Sequence, residues 1–234
     1  MSRETQTVLL FLLGLATGVM VVKGTYVHYV KPSMMPWLVL AAVVMIALAI
    51  VSAIRDIRTR PADNNSHRGW MVWLLLVPVA VTAFVIPPPI GARGATPEVA
   101  AASQPQKRAF PPLPSERAPT VSLPELMMRA ATDSAGTLND RLITVTGFTI
   151  KGGSGPELGR VVIVCCAADA QLARVHLDGP AAATAADFPE DTWLRVEGTV
   201  VPGSSNAATS FVPTMRVTSM AKIDRPANTY AYPR

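Results

Sequence analysis

Three apolar runs that contain no charged residue occupy most of the first ninety positions of this 234-residue chain. Residues 8–22 (VLLFLLGLATGVMVV) stop at Lys23, residues 37–54 (WLVLAAVVMIALAIVSAI) stop at Arg55, and residues 70–86 (WMVWLLLVPVAVTAFVI) stop at Pro87-Pro88-Pro89. Crossing the hydrocarbon core of a bilayer takes about 17–25 helical residues. The second and third runs meet that length, and the first meets it as a helix over about 6–22. Helices of a soluble bundle carry a polar face, and these runs have none. Trp37, Trp70 and Trp73 open the second and third runs, and Tyr26 and Tyr29 precede the second, where amphipathic rings settle at the membrane–water boundary. Pro78 falls mid-run and is expected to kink the third helix. The first run resembles a signal-peptide core in length, but no small-x-small cleavage site follows it and two more runs do, so it reads as retained.

The charges follow the same division. Residues 1–120 hold 11 Lys/Arg against 5 Asp/Glu, whereas residues 121–234 hold 10 against 11. The net +5 therefore flanks the apolar runs and is not a basic stripe on a folded domain, which argues against nucleic acid as a partner. Arg3, Arg55, Arg58, Arg60 and Arg68 lie at the N-terminus and in the second loop; the first loop has only Lys23 and Lys31. By the positive-inside rule the N-terminus and second loop face the cytoplasm, and everything after Pro87 is extracytoplasmic. The expected organisation is a transmembrane module over 1–90, a linker over 91–120 and a soluble domain over 121–234. The linker has six prolines and no apolar periodicity, the composition of an extended spacer.

In the soluble portion, residues 122–131 read as a short helix, with Ser122 as N-cap and Glu125 at the capping-box position. Period-two alternation then predicts strands over 142–150, 160–166, 173–177, 193–201 and 215–223. In the fourth, Leu194, Val196 and Val200 alternate with Arg195, Glu197 and Thr199; in the fifth, Met215, Val217, Ala221 and Ile223 oppose Arg216, Thr218 and Lys222. The first and fourth carry Gly147 and Gly198 in matching positions, as at the sharp bends of a small barrel. The expected fold class is thus an α+β membrane protein: three N-terminal transmembrane helices, then a short helix and a small OB-like β-barrel. A small open sandwich is the alternative.

Both cysteines of the chain are adjacent, Cys165 and Cys166, in the run Cys-Cys-Ala-Ala-Asp-Ala. Within a strand they point to opposite faces. Four roles stand open: small core residues, thiolate ligands of zinc or another soft transition metal, a strained vicinal disulfide, or intermolecular pairing. Asp169, His176 and Asp178 are the nearby groups that complete a metal set, so the candidate ligands are Cys165, Cys166, Asp169 and His176. No cofactor beyond such a metal is implied. No Ser-His-Asp order, phosphate loop or paired carboxylates mark an enzyme. His28 and His67 read as solvated loop residues.

The opening Arg3-Glu4-Thr5-Gln6, the loop Tyr29-Val30-Lys31-Pro32, the Cys165-Cys166 motif through Ala170, and the closing residues Pro226 to Tyr232 together resemble the YcgQ-like family of bacterial permease subunits. The resemblance covers nearly the whole chain apart from the linker. It implies a two-component system, encoded beside a multi-pass permease and sometimes near genes of metal supply, with this chain as accessory subunit. The family has no established set of catalytic or ligand-binding residues to carry over. The functional expectation is an accessory membrane subunit of a transport system whose outer domain binds a partner or ligand. A metal or thiol-redox sensor and a structural envelope adaptor are the alternatives. Lipid bilayer and a membrane-embedded permease are the expected partners.

Overall fold

A computed structural model describes residues 3–59, 90–91, 106–152 and 155–232. Contacts divide the chain into two compact units, Met1–Pro88 and Pro89–Arg234.

In the first unit, α1 (Arg3–Val22) and α2 (Met35–Thr59) are joined through short 3-10 turns at Thr25–His28 and Pro32–Met34. Gly24, with φ 70°, takes the left-handed conformation that follows the end of α1. The two helices pack through small residues. Ala42 and Ala49 are buried, and Gly14 sits so close that a Cβ there would lie 2.8 Å from Ile46 Cγ1 and 3.2 Å from the Ala42 carbonyl oxygen. Such side chains let helix backbones approach without a polar seam. Around this seam the large apolar side chains point outward: Phe11, Leu13, Leu15, Trp37, Leu40, Val43, Val44, Leu48, Ile50 and Val51 are all exposed.

The segment Pro32–Asp56 is long and apolar enough to cross a membrane; the apolar part of α1, Gln6–Val22, is shorter than that test requires. Among the described residues there is therefore one spanning-length apolar helix where the sequence suggests two. The third expected span, 70–86, lies outside the described residues.

The second unit runs α3 (Leu123–Thr132), β1 (Leu142–Gly152), β2 (Gly155–Val162), β3 (Gln171–Asp178), α4 (Pro180–Asp187), β4 (Trp193–Val200) and β5 (Thr214–Lys222). The strands pair in the order β1-β2-β3-β5-β4, with β4 returning to β1. Every pairing is antiparallel except β3 with β5, which run parallel from His176↔Thr214 to Asp178↔Arg216. Leu194, Val196 and Val200 face inward as their alternation requires, and with Ile143, Val145, Leu158, Val175 and Met215 they form the core that α3 and α4 cover.

On β5 the inward phase changes partway. Met215 and Val217 are buried, but Met220 then packs inward and Ala221 is exposed. The register accounts for this: Gly198 faces Val217 and Glu197 faces Ser219, leaving Thr218 as an extra residue, and one extra residue reverses every later side chain. Gly198 stands at this bulge, where a Cβ would collide with the Arg216 carbonyl.

The segment expected as spacer is bound to the unit over residues 106–120. Arg108 pairs with Asp133, and Thr120 pairs with Thr144 on the side of β1 left free by β4. The Arg141 guanidinium donates to the carbonyls of Pro114 and Glu116, and the buried Arg129 donates to that of Pro111 while stacking over Phe110. Prolines in this strap leave their carbonyls free as acceptors, and arginines supply the donors. Glu125 does not close a capping box with Ser122, whose side chain makes no cap bond; it ion-pairs with Arg129 one turn on, at 2.8 Å.

At the other end, the tail covers the outer face of the sheet. Tyr230 is buried among Phe148, Val161, Ile163 and Trp193, and Ala231 bonds to the end of β2 through both its N–H (to the Val161 carbonyl, 2.8 Å) and its carbonyl (from Ile163 N–H, 3.1 Å). Arg160 stacks over Trp193 and donates to the carbonyl of Asn228 at 2.9 Å.

Candidate functional site

The tail fastens β2 at Val161 and Ile163, and the chain then leaves the sheet. Residues 164–169 form a turn that ends in a 3-10 segment at Ala167–Asp169. Strand β2 thus starts five residues before the sequence suggests and stops before the cysteines. Cys165 and Cys166 are not strand residues on opposite faces; they sit on an exposed turn, Cys165 exposed and Cys166 half-buried, both as free thiols.

Asp169 organises this turn. Its carboxylate accepts the backbone N–H of Val164 at 2.7 Å, of Cys165 at 2.8 Å and of Cys166 at 3.2 Å, and the Cys165 thiol at 2.9 Å. Three amides converge because the chain reverses within four residues, and a short anionic side chain can reach all of them. Desolvation alone would raise the Asp169 pKa, but the bonds from the Cys165 thiol and the three amides outweigh it and hold the acid at about 2. The thiol responds in the opposite sense: its hydrogen bond to Asp169, then that with Cys166, pushes Cys165 up to about 11. A thiol held protonated at neutral pH is the reverse of an activated nucleophile.

The Sγ atoms of Cys165 and Cys166 and a carboxylate oxygen of Asp169 all lie within 4.8 Å of one another. Two sulfurs on a solvent-facing turn match donors that take zinc or copper(I), and the carboxylate oxygen is a further donor for zinc.

His176 does not join this group. It lies on β3 opposite Glu157, whereas the end of β3 nearest the turn is Gln171, opposite Val162. Five residues of extended chain separate Gln171 from His176, about 16 Å. Asp178 lies two residues further along β3, opposite Arg216. His176 instead has its Nδ1 3.2 Å from the carboxylate of the buried Glu157, which Arg174 approaches from the same strand at 3.4 Å. That buried carboxylate between two basic side chains is a structural pairing across β2 and β3; only its strand register, not its composition, was available to reveal it.

A separate concavity of about 240 Å³ lies where the strap meets α3, lined by Arg108, Phe110, Glu125, Met128, Arg129 and Tyr232. It has an apolar floor and no converging thiol or carboxylate set.

Residues 125–233 match the family model of the DUF1980 C-terminal domain. No curated protein matches the chain. Among solved structures, the crystal structure of a protein described as an aspartyl-tRNA synthetase from Leishmania major Friedlin aligns at 17% identity, over 52% of this chain and 24% of that chain, with a TM-score of 0.28. The chain thus spans about a quarter of that protein's length.

Proposed function

We propose that this chain, whose C-terminal unit carries the DUF1980 C-terminal domain, is the membrane-anchored accessory subunit of a two-component transport system. In this reading it crosses the membrane three times, with the N-terminus in the cytoplasm and an extracytoplasmic, OB-like domain that engages a partner or ligand. The observation that carries it is the outward apolar surface of the helical hairpin, from Phe11 to Val51, around a seam in which Gly14, Ala42 and Ala49 let the helices approach. Helices of this kind dissolve in lipid or pack on other helices. They make no conduction path of their own, because such paths place polar or ionisable groups at depth and residues 8–22 and 37–54 have no charged side chain. The closed strand order of the second unit, β1-β2-β3-β5-β4, supports the OB-like assignment.

Extraction in mild detergent tests the partnership. A permease encoded beside this chain is expected to co-purify with it in fixed ratio, and repeated isolation of the chain alone removes the reading. Orientation is tested separately: a membrane-impermeant maleimide is expected to label Cys165 in intact cells, and labelling only after lysis reverses the topology.

A second reading, an extracytoplasmic metal-binding or thiol-redox sensor, is favoured by the convergence of Cys165, Cys166 and Asp169. The structural envelope adaptor predicts instead that replacing both cysteines alters nothing beyond stability.

A further inference from the structure

We propose that the turn at Cys165, Cys166 and Asp169 is an exchangeable site for a thiophilic cation, zinc or copper(I), with three protein donors and an open position. This deepens the metal-binding reading of the turn and is independent of the permease partnership. Three features lead to it. The donors converge within 4.8 Å from one short turn, so no second element must move to assemble them. Two of the three are soft sulfurs, which select zinc and copper(I) over hard cations, and the carboxylate oxygen is a donor that zinc also accepts. They face solvent, with Cys165 exposed and Cys166 half-buried.

Donor number decides the kind of site. A structural zinc site is closed by four protein ligands, whereas sites that exchange a ligand keep three and leave a position open. Among the described residues the cluster offers three. His176, the fourth ligand expected from the sequence, is held about 16 Å along β3 by the β2–β3 register. An incoming thiolate or imidazole from a partner can therefore occupy the fourth position and take the ion away by ligand exchange.

The present hydrogen bonds show where the cation enters. The Cys165 thiol proton lies between Sγ and Asp169 Oδ2, which are 2.9 Å apart. A tetrahedral zinc bridging sulfur and oxygen separates them by about 3.6 Å. The difference is within reach of a rotation of the exposed Cys165 side chain. On binding, both thiols release their protons to solvent and the cation takes two thiolates and a carboxylate oxygen. The amides of Val164 and Cys166 continue to hold Asp169 in place, the outer hydrogen bonds that orient a ligand.

Zinc and copper(I) titrations of the reduced full-length chain in detergent test the proposal, read against a chromogenic chelator and by protection of Cys165 from maleimide. One equivalent of at least one cation is expected, protecting Cys165 and passing to the chelator within seconds. Cys165→Ser and Cys166→Ser are each expected to weaken binding by about 100-fold, and Asp169→Asn by about 10-fold. Equal binding by the double Cys→Ser chain, or no stoichiometric binding of either cation, overturns the site. Tight binding that the chelator removes only over hours overturns the open position and points to a closed centre. Should a variant lose its fold, as its circular dichroism would show, wild-type maleimide protection alone decides.

Discussion

The two units of this chain are built from similar side chains used in opposite ways. In the helical hairpin, Leu40, Val43, Leu48 and Val51 face outward, while Gly14, Ala42 and Ala49 sit in the seam beside Leu12 and Ile46. In the C-terminal unit, Leu126, Val145, Leu194 and Val196 are wholly buried, while Arg195 and Arg216 on the same strands as the core residues are exposed. In water the hydrophobic effect drives large apolar groups together. In lipid that drive is absent, and close packing of small residues takes its place. Leu194 therefore marks the interior of one unit and Leu48 the surface of the other.

The strongest test of this contrast is one substitution made in both units. Leu194→Ala is expected to cost about 2–5 kcal/mol of stability, because it leaves a cavity in a filled core. Leu48→Ala is expected to stay within about 0.5 kcal/mol in detergent. Thermal melts of the two variants compare them directly. A large loss at Leu48 would mean that a protein surface covers it in this chain alone, and would break the contrast.

Next in size is the seam. Gly14→Leu drives a side chain into Ile46 and the Ala42 carbonyl, so the helices must part at about 1–3 kcal/mol. Cross-linking between cysteines introduced at the buried positions 12 and 49 measures the separation. Unchanged cross-linking would mean that the seam is not tight.

The exposed turn is governed by hydrogen bonds and neither kind of packing, and its effects are kinetic. Asp169→Asn removes the anion that keeps Cys165 protonated. If the pKa drops from about 11 to about 9, the thiolate fraction at pH 8 rises about 100-fold. The lower nucleophilicity of a more acidic thiol takes back part of this, leaving alkylation about tenfold faster. An unchanged iodoacetamide rate would show that Asp169 does not control the thiol.

The smallest effect is that of pH on the same turn. The Asp169 pKa is depressed to about 2 from an ordinary value near 3.8. Its contribution is therefore complete above pH 4 and fades as the pH falls through 2. Amide exchange at Val164, Cys165 and Cys166 is expected to stay slow at pH 4 and to quicken, after correction for intrinsic rates, near pH 2. Quickening already at pH 4 would contradict the depressed pKa.

Where one face is buried and the other wet, the sequence announces itself. The alternation in residues 193–200 placed β4 to within a residue, and the helix at 123–132 was visible in its apolar face. The early part of β2 was not, because Gly155, Pro156 and Gly159 read as breakers. Pro156 is tolerated since β3 pairing begins only at Glu157, leaving no ladder bond on that side for a proline to lose. Helix α4 was hidden by its alanines: Pro180 at its first turn and Ala182 and Ala185 against the core give little periodic contrast. The strap over 106–120 was hidden by its prolines, whose free carbonyls bind Arg129 and Arg141.

For the candidate site, sequence proximity was enough to gather Cys165, Cys166 and Asp169, since four residues of turn cannot carry them apart. It failed for His176, because a strand moves every residue along by a fixed step and only the register tells which end meets the turn. The Thr218 bulge is a similar case, legible only once Glu197 has been given a partner.

One further consequence concerns force. The hydroxyl of the buried Tyr230 accepts the backbone N–H of Ile90 at 3.0 Å, at the point where the chain arrives from the first unit. One residue on, Ala231 is bonded to the strand that runs into the cysteine turn. A load applied at Ile90 would thus bear on the tail and, through Ala231, on the base of that turn. In a pulling experiment on the full chain, Tyr230→Phe would remove the hydroxyl through which this load passes and lower the first yield force, with the buried ring left in place.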